Sequence, residues 1–175
     1  MEAFFKTHKY LVEHLYSPVR RGLMDEIDWN DRLIGIKGSR GVGKTTFLLD
    51  YAREHFGADN KECLYINLNH FYFTERTLVD FASEFRAKGG KVLLIDQVFK
   101  YSGWSKELRY CYDNFTDLKI IFSGSSVMRK YFLGASSMKS SRSIHNSRLN
   151  SIKWLPASGS SGLLMASNSS TCPSG

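Results

Sequence analysis

Four short apolar segments that alternate with amphipathic ones constrain the fold of this chain more than any other feature of its sequence. The apolar segments are unbroken runs, typical of strands buried on both faces, and they span residues 32–37, 63–67, 92–96 and 118–122. Helical spacing of apolar residues marks 4–16, 45–54, 77–87 and 105–115, the last beginning at Ser105, a residue type that caps helices. This alternation predicts the α/β class, with a mostly parallel sheet flanked by helices on both faces.

The net charge of +7 is distributed unevenly along the chain. Residues 1–117 contain 17 Lys/Arg and 17 Asp/Glu, whereas residues 118–175 contain 7 Lys/Arg and no acidic residue. Beyond residue 133 the sequence is rich in serine and shows neither helical nor strand periodicity. We therefore expect 1–31 to be an N-terminal helical segment, 32–133 the folded core, and 134–175 a disordered, basic, Ser-rich tail.

Membrane and disulfide classes of protein are not favoured by the composition. No apolar run approaches the ~20 residues of a membrane-spanning helix, so no membrane partner is expected. The three cysteines are widely spaced and match no metal or disulfide pattern, which favours a reducing, cytoplasmic location.

The segment from Gly38 to Thr45 fits the phosphate-binding pattern G-x-x-x-x-G-K-[ST]. It follows a predicted strand and opens a predicted helix, which is the context that this loop requires. We expect Lys44 to reach the β- and γ-phosphates of a nucleotide and the Thr45 hydroxyl to bind Mg²⁺. The residues predicted to bind the nucleotide are Gly38, Ser39, Arg40, Gly41, Val42, Gly43, Lys44, Thr45 and Thr46.

A second part of the site is predicted at the end of the 92–96 run. Asp96 closes this buried strand and would present a carboxylate beside the Mg²⁺ ion at the sheet edge. The next residue is Gln97, whose side-chain amide can bind water but cannot accept its proton at neutral pH. Nucleotide binding should tolerate this residue, and fast hydrolysis should not.

Other polar residues leave alternatives open. Ser125, just after the fourth apolar run, could sense the γ-phosphate or belong to an ordinary serine-rich turn. The pair Arg20–Arg21 is interpreted as solvated surface charge, and Arg129–Lys130 either likewise or as a charge offered to a neighbouring subunit's nucleotide. No Asn-Lys-x-Asp motif for guanine occurs, so adenine is the expected base.

The chain resembles the prokaryotic AAA-type P-loop ATPases that carry a C-terminal domain of unknown, nuclease-like kind. The resemblance covers about residues 1–130 and rests on the N-terminal helix, Gly38–Thr45, the strand ending at Asp96, and the order from Trp104 to Ser126. It implies a P-loop NTPase-type fold, ATP and Mg²⁺ as cofactors, and Ser125 at a sensor position.

Three departures from that family set the functional expectation. Gln97 stands where the family has glutamate, Phe99 stands where it commonly has a polar residue, and the helical lid has no counterpart in the Ser-rich tail. A tail with no acidic residue and no periodicity resembles out-of-frame or degenerate sequence more than a shortened lid. We therefore expect an ATP-binding domain with weak or lost hydrolysis, acting as a homo-oligomer or with a protein partner. The alternatives are a nucleic-acid-associated module that uses the basic tail, and an interaction module that binds nucleotide structurally.

Overall fold

The computed structural model describes residues 1–125 and 152–154, and a five-stranded sheet lies at its centre. The strands are β1 (Leu33–Gly38), β2 (Cys63–Asn67), β3 (Val92–Asp96), β4 (Lys119–Ser125) and β5 (Ile152–Trp154). They lie in the order β2-β3-β4-β1-β5, and every pair is parallel. Each of the four apolar runs forms a strand, so the predicted α/β class with a parallel sheet is confirmed.

Six α-helices occur in the described part of the chain; the four longer ones agree with the predicted segments to within three residues, and the two of four residues each were not predicted. The helices are α1 (Glu2–Glu13), α2 (Leu23–Glu26), α3 (Lys44–His55), α4 (Tyr72–Glu75), α5 (Leu78–Ala87) and α6 (Trp104–Asn114), with a 3₁₀ turn at Val98–Lys100. The expected cap at Ser105 is wrong. Helix α6 begins at Trp104, and its N-cap is Gly103, which adopts φ +80°. Glycine takes this left-handed conformation without steric cost and so starts the helix one residue earlier than expected.

Two apolar layers cover the two faces of the sheet, because successive strand residues point to opposite sides. Helices α5 and α6 pack on one face against Leu64, Ile66, Leu93, Ile95, Ile120 and Phe122. Helix α3 packs on the other face against Ile34, Ile36, Cys63, Tyr65, Val92, Leu94 and Ile121. The unbroken apolar runs of the sequence are explained by this two-sided burial, which contributes about 1.5–3 kcal/mol for each large side chain.

Helix α1 lies against β2, the strand at one end of the sheet order. His8 of this helix is 1% exposed, and its Nδ1 accepts a hydrogen bond from the backbone N–H of Tyr65 at 3.0 Å. The contact satisfies a buried backbone donor of β2 with a side chain instead of another strand.

Strand β5 lies inside the segment that was expected to have no regular structure. Its three residues pair in parallel with Gly35, Ile36 and Lys37 of β1. The prediction of no strand in 134–175 therefore does not hold at 152–154, since a strand this short has no periodicity and depends on its partner strand. The rest of the predicted tail lies outside the described residues.

Candidate functional site

The predicted phosphate loop joins the carboxyl end of β1 to the start of α3. Within it, Gly41 and Gly43 adopt φ angles of +83° and +81°. Side chains other than glycine rarely take this conformation, so both glycines are needed for the turn. Gly43 is also the N-cap of α3, whose first turn has a partial positive charge. Loops of this kind direct backbone N–H groups towards anions.

Lys44 is the first residue of α3 and is bound to the loop itself. Its Nζ donates hydrogen bonds to the carbonyl oxygens of Gly38 at 3.0 Å and Ser39 at 2.7 Å. Partial burial lowers the pKa of Lys44, and the negative charge of Asp96 opposes that shift. The ammonium group thus stays at the loop, where it can exchange carbonyl contacts for phosphate oxygens.

The strand carboxylate lies beside the loop threonine. Thr45 is exposed, and its Oγ1 donates to Oδ2 of Asp96 at 2.6 Å across 51 residues of sequence. Parallel pairing brings the two together, because β3 and β1 flank β4 and end at the same edge of the sheet. A hydroxyl and a carboxylate oxygen are the hard ligands that Mg²⁺ prefers, so the two residues fit this ion.

Asp96 is 2% exposed, and its burial is compensated by four hydrogen-bond donors. Besides Thr45, the donors are the Tyr65 hydroxyl at 2.9 Å, the Gln97 backbone N–H at 2.9 Å and the Ser123 hydroxyl. Burial, followed by the charge of Asp96, raises the pKa of Tyr65. A buried carboxylate is expensive unless hydrogen-bonded, and these contacts hold it in one orientation.

Sequence reasoning missed the roles of Tyr65 and Ser123. Tyr65 was counted only as part of an apolar strand, although a buried tyrosine hydroxyl needs a partner, and this was the available signal. Ser123 lies within β4, not in a serine-rich turn, and its hydroxyl donates to Asp96. The backbone of Ser125 pairs with Gly38. Its side chain lies outside what the structure describes, so its sensor role stays a prediction.

Gln97 has an unusual backbone conformation directly beside Asp96. Its φ of 55° is the only positive value outside glycine in the described part of the chain. In this conformation the backbone N–H points at Oδ1 of Asp96 and lies 3.3 Å from Oγ of Ser123. The side-chain amide makes no hydrogen bond to any described residue, which leaves it available to water.

The remaining predicted loop residues lie in different surroundings. Ser39 and Arg40 are exposed, and Thr46 is half-buried at the start of α3. Val42 is buried in the layer that contains α3. Its side chain therefore anchors the loop, and only its backbone is available to a phosphate.

The pair Arg20–Arg21 divides into two different environments. Arg20 is a surface residue, 54% exposed, and pairs with Asp25 and Glu54. Arg21 is half-buried, and its guanidinium lies against Gly43 of the phosphate loop. The interpretation as solvated surface charge is thus correct for Arg20 and wrong for Arg21, which lies at the phosphate loop just before α2.

Of the basic residues beyond residue 117, only Lys119 has a described side chain. Lys119 donates from Nζ to the carbonyl oxygen of Trp29, and burial lowers its pKa. Lys153 is described only through its backbone in β5, and the other cations beyond residue 117 lie outside the described residues.

Among residues 1–125, no helix has the length and apolar character needed to cross a bilayer. The same part of the chain contains no group of three or more His, Cys, Asp or Glu suited to a metal ion.

A family model and several solved structures are similar to this chain. The family model described as AAA domain matches residues 30–158. Among solved structures, PCH-2 from C. elegans is 16% identical, with a TM-score of 0.43 over 87% of this chain and 41% of that chain. The DnaC helicase loader is also 16% identical, with a TM-score of 0.34 over 86% of this chain and 85% of that chain.

The matched AAA domain model spans most of the chain. The chain spans 41% of the length of the PCH-2 chain. No match was found among the curated proteins. The narrower resemblance to prokaryotic members with a nuclease-like C-terminal domain stays a prediction. The family model matches most of the chain, and the phosphate loop and the strand carboxylate lie together at one edge of a parallel sheet. The chain therefore belongs to the AAA domain family of P-loop ATPases.

Proposed function

We propose that this chain binds ATP together with Mg²⁺ at Gly38–Thr45 and Asp96, and that it hydrolyses ATP slowly or not at all. One observation carries the proposal. The Thr45 hydroxyl and the Asp96 carboxylate lie 2.6 Å apart next to a lysine that is held at the mouth of a glycine loop. This arrangement combines a cation for phosphate with two oxygen ligands for a divalent ion.

The roles proposed for the loop residues follow from their contacts. Lys44 would exchange its two carbonyl acceptors for β- and γ-phosphate oxygens. Thr45 and Asp96 would hold Mg²⁺, which neutralises the charge of the terminal phosphates when bound. Ser39, Arg40, Gly41 and Val42 would contribute through the backbone of the loop, and Thr46 through the first turn of α3.

The proposed slow hydrolysis depends on Gln97. In this position a carboxylate would accept a proton from the attacking water, and an amide does not at neutral pH. The free side-chain amide of Gln97 can still orient a water molecule, so the loss is of proton transfer. We further propose adenine as the base, a cytoplasmic location, and function as a homo-oligomer or with a protein partner.

The test is equilibrium binding of a fluorescent ATP analogue to the full chain with Mg²⁺. Lys44→Ala should weaken binding at least about tenfold, which corresponds to ~1.4 kcal/mol, because it removes the cation nearest the phosphates. Lys106→Ala, an exposed lysine on α6, is the matched control and should bind as the original chain does. Equal affinity of the two variants would contradict the proposal.

Phosphate release in the same preparations tests the hydrolysis claim. The original chain should release phosphate near the background rate, and Gln97→Glu should raise that rate by supplying a base. Fast ATP hydrolysis by the original chain would contradict the proposal, because it would show that Gln97 supports hydrolysis without a carboxylate. Background turnover by both would place the limitation elsewhere than at residue 97.

A further inference from the structure

Arg21 lies over the phosphate loop at Gly43, one of the loop positions that have no side chain. The position that a Cβ atom of Gly43 would occupy is 3.3 Å from Cζ of Arg21 and closer still to its Nη2. Any side chain at residue 43 would therefore meet the guanidinium. The missing side chain of Gly43 thus lets a second cation approach the loop, in addition to permitting the turn.

The charge of Arg21 has no compensating partner among the described residues. No hydrogen bond or ion pair joins its guanidinium to them, although a guanidinium has five N–H donors. The neighbouring Arg20 contrasts with it, because Arg20 pairs with Asp25 at 2.6 Å and Glu54 at 3.3 Å. Arg20 thus has acidic partners, whereas the Arg21 guanidinium can still bind an anion. Arg21 is half-buried beside a loop of the kind that binds phosphate.

Arg21 approaches the loop beside Gly43 and Thr46, and no hydrogen bond or ion pair joins it to Asp96. Oγ1 of Thr46 lies 3.8 Å from the same Cβ position of Gly43, so Arg21 and Thr46 lie near the same point of the loop. The hydroxyl of Thr45 turns instead to Asp96. Thr45 and Asp96 would hold the Mg²⁺ that neutralises the terminal phosphates, which would leave the phosphates nearer the ribose to a cation beside Gly43 and Thr46.

We propose that Arg21 is a nucleotide-binding residue that contacts the non-terminal phosphates of a nucleoside di- or triphosphate. The inference rests on the proposed function, because it assumes a nucleotide in the loop. The Arg21 guanidinium would bind phosphates that ADP and ATP have in common, and the γ-phosphate would not be needed for this contact. ADP and ATP should therefore depend on Arg21 to the same degree.

The experiment measures the Kd of fluorescent ATP and ADP analogues with Mg²⁺ for the full-length chain and its variants. Arg21→Ala and Arg21→Gln should raise both Kd values roughly tenfold, the effect of losing one charge-assisted hydrogen bond pair. Arg21→Lys keeps the charge and should recover part of the affinity. Arg20→Ala, the matched control, should bind both nucleotides as the original chain does.

The controls separate the possible failures. Thermal unfolding without nucleotide is measured for every variant, and the Gln and Lys variants, which keep the side-chain stem, are compared with each other. Equal affinity of these two variants, or a loss for ATP alone, would overturn the role of Arg21. If Lys44→Ala weakens binding and the Arg21 variants do not, only this inference fails. If Lys44→Ala also binds normally, the proposed function itself fails.

Discussion

At the scale of single residues, Asp96 connects more parts of the molecule than any other described polar side chain. Its carboxylate accepts from the phosphate loop, from β2, from its own following residue and from β4. Three of these donors would remain after Thr45 turned to a metal ion. The carboxylate is therefore held ready for a ligand before any ligand arrives, which reduces the free energy lost on ordering the site.

Tyr65→Phe tests how much one of these donors stabilises the fold. The variant removes the hydroxyl that lies 2.9 Å from Asp96 and leaves the ring in the apolar layer. The free energy of unfolding should fall by about 1.5–3 kcal/mol, the range for a hydrogen bond to a charged group. Urea denaturation without nucleotide measures it.

The matched control for this prediction is Tyr51→Phe. Tyr51 is buried in the same layer, and its hydroxyl makes no hydrogen bond to the described residues. Its removal should change the free energy of unfolding by less than about 0.5 kcal/mol. A similar loss in both variants would mean that the bond to Asp96 has no special effect.

At the scale of elements, the contact between α1 and β2 depends on the protonation state of His8. Nδ1 accepts from the Tyr65 backbone, so in the folded chain the ring proton is on Nε2, which has no partner among the described residues. Burial lowers the pKa of His8 from 6.5 to about 4. A proton on Nδ1 would break the bond to β2 and leave a charge in the apolar layer.

This contact predicts a pH dependence of stability with a defined direction. Below pH 6.5 the unfolded chain binds a proton at His8 that the folded chain does not bind. The free energy of unfolding should therefore fall between pH 6.5 and about 4, by about 3 kcal/mol for His8, with no further loss below that. Urea denaturation across this range measures it.

His8→Gln isolates the effect from the carboxylates that titrate in the same range. Glutamine does not titrate, and its side-chain oxygen can accept the bond from Tyr65. The difference between the original chain and this variant should shrink or reverse as the pH falls. His14→Gln, an exposed position one residue past α1, should run parallel to the original chain. Parallel curves for His8→Gln as well would contradict the prediction.

At the scale of the whole molecule, the strand order makes the phosphate-loop strand an interior one. β1 has β4 on one side and β5 on the other, so the strand that leads into the loop has partners along both edges. The residues of β5 come from the distant end of the chain, beyond residue 133. The matched family range, which ends at 158, includes them.

Two chain lengths test the contribution of β5. A chain that ends at residue 151 lacks this strand, and a chain that ends at 158 retains it. The shorter chain should lose about 1–2 kcal/mol of unfolding free energy, because backbone hydrogen bonds to β1 are replaced by water. It should also aggregate more readily through the exposed edge of β1. Denaturation and light scattering measure these effects, and identical behaviour of the two chains would contradict the role of β5.

Most of the secondary structure and the centre of the candidate site follow from local patterns in the sequence. Strands β2 and β3 have the predicted bounds, because continuous apolar runs between polar residues are local signals. The strand–loop–helix around Gly38–Thr45 is also a local pattern, since its glycines and its lysine lie within eight residues. Asp96 was found for the same reason, at the end of a buried run.

The other side chains of that site are brought there by long-range packing. Tyr65 and Ser123 reach Asp96 across 31 and 27 residues, and Arg21 reaches Gly43 from a separate helix start. Strand β5 exists only as a partner of β1. None of these contacts leaves a periodic or spaced pattern in the sequence. They depend on strand order and register, which long-range packing sets, and a hydrogen bond or charge acquires its partner only after the chain has folded.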